Sequence, residues 1–183
     1  MKTRTGQTGR MHNRPRTTIR LLTLADEADV LAFELANRAF FAGAVGDRGD
    51  DYFAEFPQGH RALVSENDAG TLMMFLVRDE SDTLVGRVNL VDIADGAAEL
   101  GYRIAQHVGG QGHASAAVRL ALAAAADRGL TRITAKTTSN NAASRRVLER
   151  SGFVRQPTGT PSHLTVGEVE HPAVHYARDT RSA

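Results

Sequence analysis

Two short stretches of this 183-residue chain carry side chains and spacings suited to chemistry. The first is Gly109-Gly110-Gln111-Gly112-His113-Ala114-Ser115, which runs directly into an alanine-rich segment. A helix start leaves N–H groups unpaired and carries partial positive charge, and glycines let an anion approach the backbone with no Cβ in the way. Those residues therefore suit a pyrophosphate. They are not a Walker loop, because no Gly-Lys-Ser/Thr comes after them, and Gly109-Gly110-Gln111-Gly112 does not fit the G-x-G-x-x-G fingerprint of dinucleotide sites. A plain strand-to-helix turn accounts for the same glycines, so at this level both readings stand. The second stretch, Asn140-Asn141-Ala142-Ala143-Ser144 through Gly152-Phe153, reads as a capped helix. Asn141 stands before it, Gly152 stops it, and Phe153 is an anchor for the core.

The elements around these stretches can be read from periodicity and punctuation. Thr18–Leu22 has the length of a short strand, and Thr23-Leu24-Ala25-Asp26 is a capping-box pattern at a helix start. Leu24, Ala28, Leu31 and Leu35 then recur at helical spacing and predict the buried face of the first helix. Glycines at 43, 46 and 49 break the chain, and residues 50–68 read as helical around Pro57 and Gly59. Thr71–Arg78, Thr83–Ile93 and Ala97–Ile104 are strands joined by hairpin-length turns, hence antiparallel neighbours. A helix over 114–128 buries Val118, Ala121, Leu122 and Ala125 and stops at Gly129, and Thr131–Thr138 is a strand after a crossover. A helix over 142–150, a strand from Phe153, a loop over 157–161 and strands near 164–168 and 173–178 complete an α+β domain.

Composition narrows the partners. Residues 1–20 hold six basic side chains and no acid, which leaves 16 basic against 21 acidic side chains in the rest. Residues 1–17 are expected to be a flexible basic arm and residues 18–183 one domain, with a body too acidic to grip nucleic acid. No apolar run has the length of a membrane span. With no cysteine in the chain there is no thiolate nucleophile, no disulfide scaffold and no Cys-based zinc site. No metal is expected, and the location expected is cytoplasmic.

Taken together, the two stretches resemble the cofactor motifs of the GNAT superfamily of N-acetyltransferases. Gly110-Gln111-Gly112-His113-Ala114 is similar to its acyl-CoA pyrophosphate loop, and Asn141-Ala142-Ala143-Ser144 through Gly152-Phe153 to its second cofactor motif. Glu99-Leu100-Gly101-Tyr102, the Asn-x-Ala-Ser run and Asn37-Arg38 resemble the RimJ/RimL branch, which acetylates the N-termini of ribosomal proteins. The resemblance implies a GNAT fold: a mixed, mostly antiparallel sheet of about seven strands with about four helices, and a splayed cofactor slot between the fourth and fifth strands.

It also implies roles. Acetyl-CoA is the co-substrate, and with no cysteine available the acetyl group passes directly to a primary amine. Tyr102, Arg103 and Ile104 pair with the pantetheine arm as an added strand would. Gly110, Gln111, Gly112, His113, Ala114 and Ser115 hold the pyrophosphate, Asn141 also binds the cofactor, and Ser144 stands beside the sulfur. Ser144 is the proton donor to the leaving thiolate. Relatives outside the branch use a tyrosine further along this helix, where Val147 and Leu148 stand, and Tyr102 is a poorer candidate because its backbone serves pantetheine. Glu99 is the base, with a paired surface carboxylate as the competing reading. Asn37, Arg38 and Asn89 surround the acceptor; from charge alone, and not from the resemblance, Asp47, Asp50 and Asp51 would favour a cationic one.

One departure stands out. The family loop opens with Arg or Gln three residues before Gly112, and here that residue is Gly109, so weaker CoA affinity is expected. The acceptor implied is a protein N-terminal α-amine, with a small-molecule amine or a non-catalytic acyl-CoA-binding module as alternatives, and a monomer or homodimer as the working unit.

Overall fold

A computed structural model describes residues 16–157, 159 and 161–180, so the basic arm lies outside the described residues except for Arg16 and Thr17. The described residues form eight strands and five α-helices, in the order β1 (Thr18–Leu21), α1 (Glu27–Val45), α2 (Gly49–Ala54), α3 (Phe56–Ala69), β2 (Met73–Arg78), β3 (Leu84–Ala94), β4 (Ala97–Ile104), α4 (His113–Asp127), β5 (Arg132–Thr138), α5 (Ala142–Arg150), β6 (Val154–Gln156), β7 (His163–Val166) and β8 (Val169–Asp179). The extra helix arises because Pro57, which cannot donate inside a helix, sits in the first turn of α3 rather than interrupting a longer helix. The sheet order is β1-β2-β3-β4-β5-β8-β6, with β7 hairpinned onto β8.

The three mid-chain strands form the antiparallel meander expected, and the crossover through α4 makes β5 parallel to β4. That parallel ladder is short. It runs from Ala97 opposite Arg132 to Leu100 opposite Ala135 and stops. Beyond it, Gly101–Ile104 pair only with β3, and Lys136–Thr138 only with β8. The sheet therefore forks between its fourth and fifth strands.

Side-chain alternation gives the fork two faces. Val88, Leu90, Leu100, Ile133 and Ala135 point to one, where they pack with Val118, Ala121, Leu122 and Ala125 of α4 and Leu148 of α5. α1 and α3 cover the other, where Val30 and Phe56 pack with Met74 and Leu76. The buried face of α1 is not the leucine stripe read from sequence. Leu24 and Leu35 are exposed, and the buried residues are Val30, Phe33, Glu34, Asn37 and Phe41. That set has the same helical spacing, but two of its members are polar, and a hydrophobicity pattern passes over it.

The capping-box residues do meet. Thr23 donates from its backbone N–H (2.8 Å) and its hydroxyl (2.7 Å) to Asp26 Oδ2, and Arg20 forks onto both carboxylate oxygens. The Arg20 guanidinium, helped by Thr23, holds this buried carboxyl below the usual carboxylate range although burial pushes the other way. A depressed carboxylate stabilises the fold above its unfolded value of about 3.9, and that contribution is lost as pH falls through the folded value. Asp26→Asn is accordingly expected to cost about 1–2 kcal/mol at neutral pH. The gap between the urea midpoints of the two proteins should narrow as pH falls from about 4 toward about 2, and an undiminished gap at the lower pH would contradict the assignment.

Candidate active site

The glycine stretch folds as the phosphate-loop reading requires. Gly110 and Gly112 sit at φ +77° and +100°, backbone that other residues rarely adopt. The first intrahelical bond of α4 is donated by Ala116 to Gly112 O (3.0 Å), so the N–H groups of His113, Ala114 and Ser115 precede it. As N-cap, Gly112 has no side chain to satisfy them. Three amides at the positive end of a 15-residue helix are thus presented to an anion.

His113 contributes only its backbone to this loop. Its ring is buried, with Nδ1 3.0 Å from Thr17 Oγ1, and ties the start of β1 to the start of α4. Gly109 closes a tight turn, its N–H donating to Gln106 O (3.0 Å), and a Cβ there would lie 3.0 Å from that same oxygen. Gln111 Nε2 donates to His107 O (3.1 Å). Gln111 thereby pins the turn by a side chain, a task that position 109 cannot perform with glycine.

On the α4–α5 face of the fork, Asn141 Oδ1 accepts the Ser144 N–H (3.0 Å) and caps α5. This fixes Ser144 in the first turn. Tyr102, on the part of β4 that has parted from β5, donates its hydroxyl to Ser144 Oγ (3.1 Å) across the fork. Burial pushes the Tyr102 phenol up, with the Ser144 hydrogen bond partly opposing it. No sequence signal marked that contact, because it joins residues 42 positions apart.

On the opposite face, Glu99 Oε2 lies 2.7 Å from Lys136 Nζ. The ion pair spans β4 and β5 just where they part, and both side chains are partly exposed. Asn89 lies over Gly101, its Oδ1 3.0 Å from where a Cβ would stand. Deeper on this face, Glu34 is sandwiched between Arg87 (Nε to Oε1, 3.0 Å) and Arg103 (Nη1 to Oε2, 3.0 Å). Burial, then repulsion from Arg87, lowers Arg103 to about 10, so it stays charged at neutral pH. Glu34 went unnoticed in the sequence, hidden inside a helix as one acid among 21.

The remaining acceptor candidates have structural partners. Both ends of the Asn37 amide are bonded to backbone, its nitrogen to Phe33 O (2.9 Å) and its oxygen to the Gln106 N–H (3.2 Å). It fastens α1 to the segment leading into the glycine loop. Arg38 binds Asp47 (2.6 Å) and Asp50 (2.8 Å) and lies over the Phe53 ring (4.7 Å). Two of the three aspartates read as attracting a cation are therefore already engaged. Across β8, His175 Nε2 lies 2.5 Å from Ser162 Oγ, beside a groove of about 510 Å³ that Gln156 and Ala173 also line.

The chain belongs to the GNAT acetyltransferase family, since the family described as "Acetyltransferase (GNAT) domain" matches residues 16–154. It is 31% identical over 149 residues to the probable N-acetyltransferase YjcK of Bacillus subtilis (strain 168), covering 75% of this chain and 80% of that protein. Similar solved structures include ribosomal-protein-S5-alanine acetyltransferase from Vibrio fischeri (TM-score 0.83, 21% identity, 91% of this chain and 94% of that one). RimL, the ribosomal L7/L12 α-N-protein acetyltransferase, in complex with coenzyme A gives 0.80 at 20% identity, with 89% and 93% covered. Spermidine N-acetyltransferase from Vibrio cholerae with CoA and spermine gives 0.74 at 19%, with 90% and 95% covered. The protein is an acetyl-CoA-dependent N-acetyltransferase of this type. The residues present fit that co-substrate: an amide cradle for a pyrophosphate and an open strand edge for an amide-bearing arm. Among the described residues no group of three or more His, Cys, Asp or Glu is placed to hold a metal ion, and no helix is long and apolar enough to cross a membrane.

Proposed function

We propose that the protein acetylates the N-terminal α-amine of a protein, of the ribosomal kind that its RimJ- and RimL-like structural neighbours modify. The observation that carries this reading is the two-faced fork. A thioester lying along Gly101–Ile104 has hydroxyls on one side, Ser144 and Tyr102, and a carboxylate on the other, Glu99. An amine arriving from the Glu99 face attacks the carbonyl, whose oxygen a β4 backbone N–H receives. The sulfur then departs toward Ser144. Glu99, a carboxylate that must part from Lys136 to do so, takes the proton that the amine sheds.

A carboxylate is a weak base, and this favours an α-amine. With a pKa of about 8, an α-ammonium costs about 1 kcal/mol to deprotonate at pH 7, whereas a lysine or polyamine nitrogen near 10.4 costs more than about 4. Asn89 and the wall of α1 and α2, pinned through Arg38, would bound the acceptor. On this reading residues 1–17 are an arm on a single cytoplasmic acetyltransferase domain, residues 18–183, working as a monomer or homodimer.

Mass spectrometry of peptides bearing free protein N-termini, screened beside polyamines and amino acids, tests the acceptor. Acetylation confined to the small amines would overturn it. Ser144→Ala and Glu99→Gln should each lower kcat, by about a hundredfold for Ser144→Ala, with CoA affinity retained. Full turnover by both would remove these roles.

A further inference from the structure

We propose that Tyr102 is the proton source for the leaving thiolate and that Ser144 is the relay between them, an inference that rests on the acetyl-transfer reading above. The geometry is the Tyr102 hydroxyl 3.1 Å from Ser144 Oγ, with Asn141 holding the Ser144 backbone in place.

Chemistry makes a serine acting alone a poor acid. An aliphatic hydroxyl is about as weak an acid as water, pKa about 15.7, whereas a thiol ionises near 8.5. Handing a serine proton to a thiolate and leaving the alkoxide is uphill by about seven powers of ten. A phenol near 10 in water lowers that to about thirtyfold, a gap that the burial of Tyr102 widens. The relay is balanced. As the C–S bond breaks, sulfur takes the Ser144 proton and Oγ takes the Tyr102 proton. The phenolate is reprotonated from solvent, which returns the proton that the acceptor gave up on the Glu99 face.

Two observations agree with this role. Tyr102 is partly buried, and although burial pushes its phenol up and makes it a weaker acid than a free one, its hydroxyl is already donated to Ser144 Oγ, the direction that the relay needs. Further along α5, Val147 and Leu148 offer no proton. A purely structural tyrosine would bridge β4 to α5 equally well, and the test must separate the two.

Tyr102→Phe keeps the ring and is expected to lower kcat by about thirtyfold with the Kd for CoA unchanged. Fluorinated tyrosines at 102, measured at a pH below all of their phenol values, should give kcat rising with phenol acidity. In the binary complex, the thiol of bound CoA, monitored by its ultraviolet absorbance, should titrate higher in Tyr102→Phe than in the wild type, because Ser144 loses the donor behind it. This last measurement needs no acceptor. A wild-type kcat in Tyr102→Phe, a flat fluorotyrosine series, or an unmoved thiol titration would each overturn the relay. A wild-type rate in Ser144→Ala would instead remove the acetyl-transfer role from which the relay starts, so the two failures are distinguishable.

Discussion

Gly112→Val is expected to weaken CoA binding by about a thousandfold while leaving the fold intact. Gly112 sits at φ +100°, ψ −4°, a conformation that a β-branched residue adopts only under strain. A valine would swing the turn out of that shape or raise its methyls over the three amides that precede the first bond of α4. Each charge-assisted hydrogen bond forfeited is worth about 1.5–3 kcal/mol, so losing two accounts for about 4 kcal/mol, or a thousandfold. Gly112 is exposed, and the core face of α4 begins only beyond it. Thermal melting should therefore move little. Calorimetric titration with CoA, paired with circular dichroism, checks both halves. Near-native affinity would mean that the anion is not held at this helix start.

Glu34→Gln should cost about 3–5 kcal/mol in stability although it removes only a charge. Glu34 is almost wholly buried and pairs with both Arg87 and Arg103, and its contact with Arg87 is an ion pair without hydrogen-bond alignment. Burial lowers the pKa of both arginines, and Glu34 is the carboxylate that opposes this. Without it, two guanidiniums face each other in a dry environment. Arg103 stands on the open part of β4, so its displacement should disturb kcat as well. Combining Glu34→Gln with Arg87→Met should restore part of the loss, because the repulsion goes with the second charge. Urea unfolding of the single and double variants tests this, and a double variant as unstable as the sum of the singles would refute the coupling.

What the sequence made legible was local. Strand-length apolar runs and hairpin-length turns located β2, β3 and β4, Gly129 marked the end of α4, Asn141 capped α5, and the glycine loop took the backbone angles that an anion site needs. The fork itself was implied by the family resemblance. The side-chain partnerships were hidden, because they join distant segments: Tyr102 with Ser144, Glu34 with Arg103, Asn37 with Gln106. The polar members of the α1 stripe made the periodicity choose the wrong face. Asn37 and Arg38 are adjacent in sequence yet serve different ends, one bracing the route to the phosphate loop and the other bracing the turn into α2.

The short parallel ladder between β4 and β5 works as the pivot of a drawing compass. Four residue pairs, ending at Leu100 and Ala135, set the angle between the legs. One leg bears the strand leading to the amide cradle, and the other leads through Thr138 to Asn141 and Ser144. A change of a few degrees at the pivot would shift the distance between carbonyl and proton donor by a fraction of an ångström per residue along the legs. Core substitutions at Leu100 or Ala135 should therefore lower the rate as well as the stability, although both side chains point into the core and not at the acceptor.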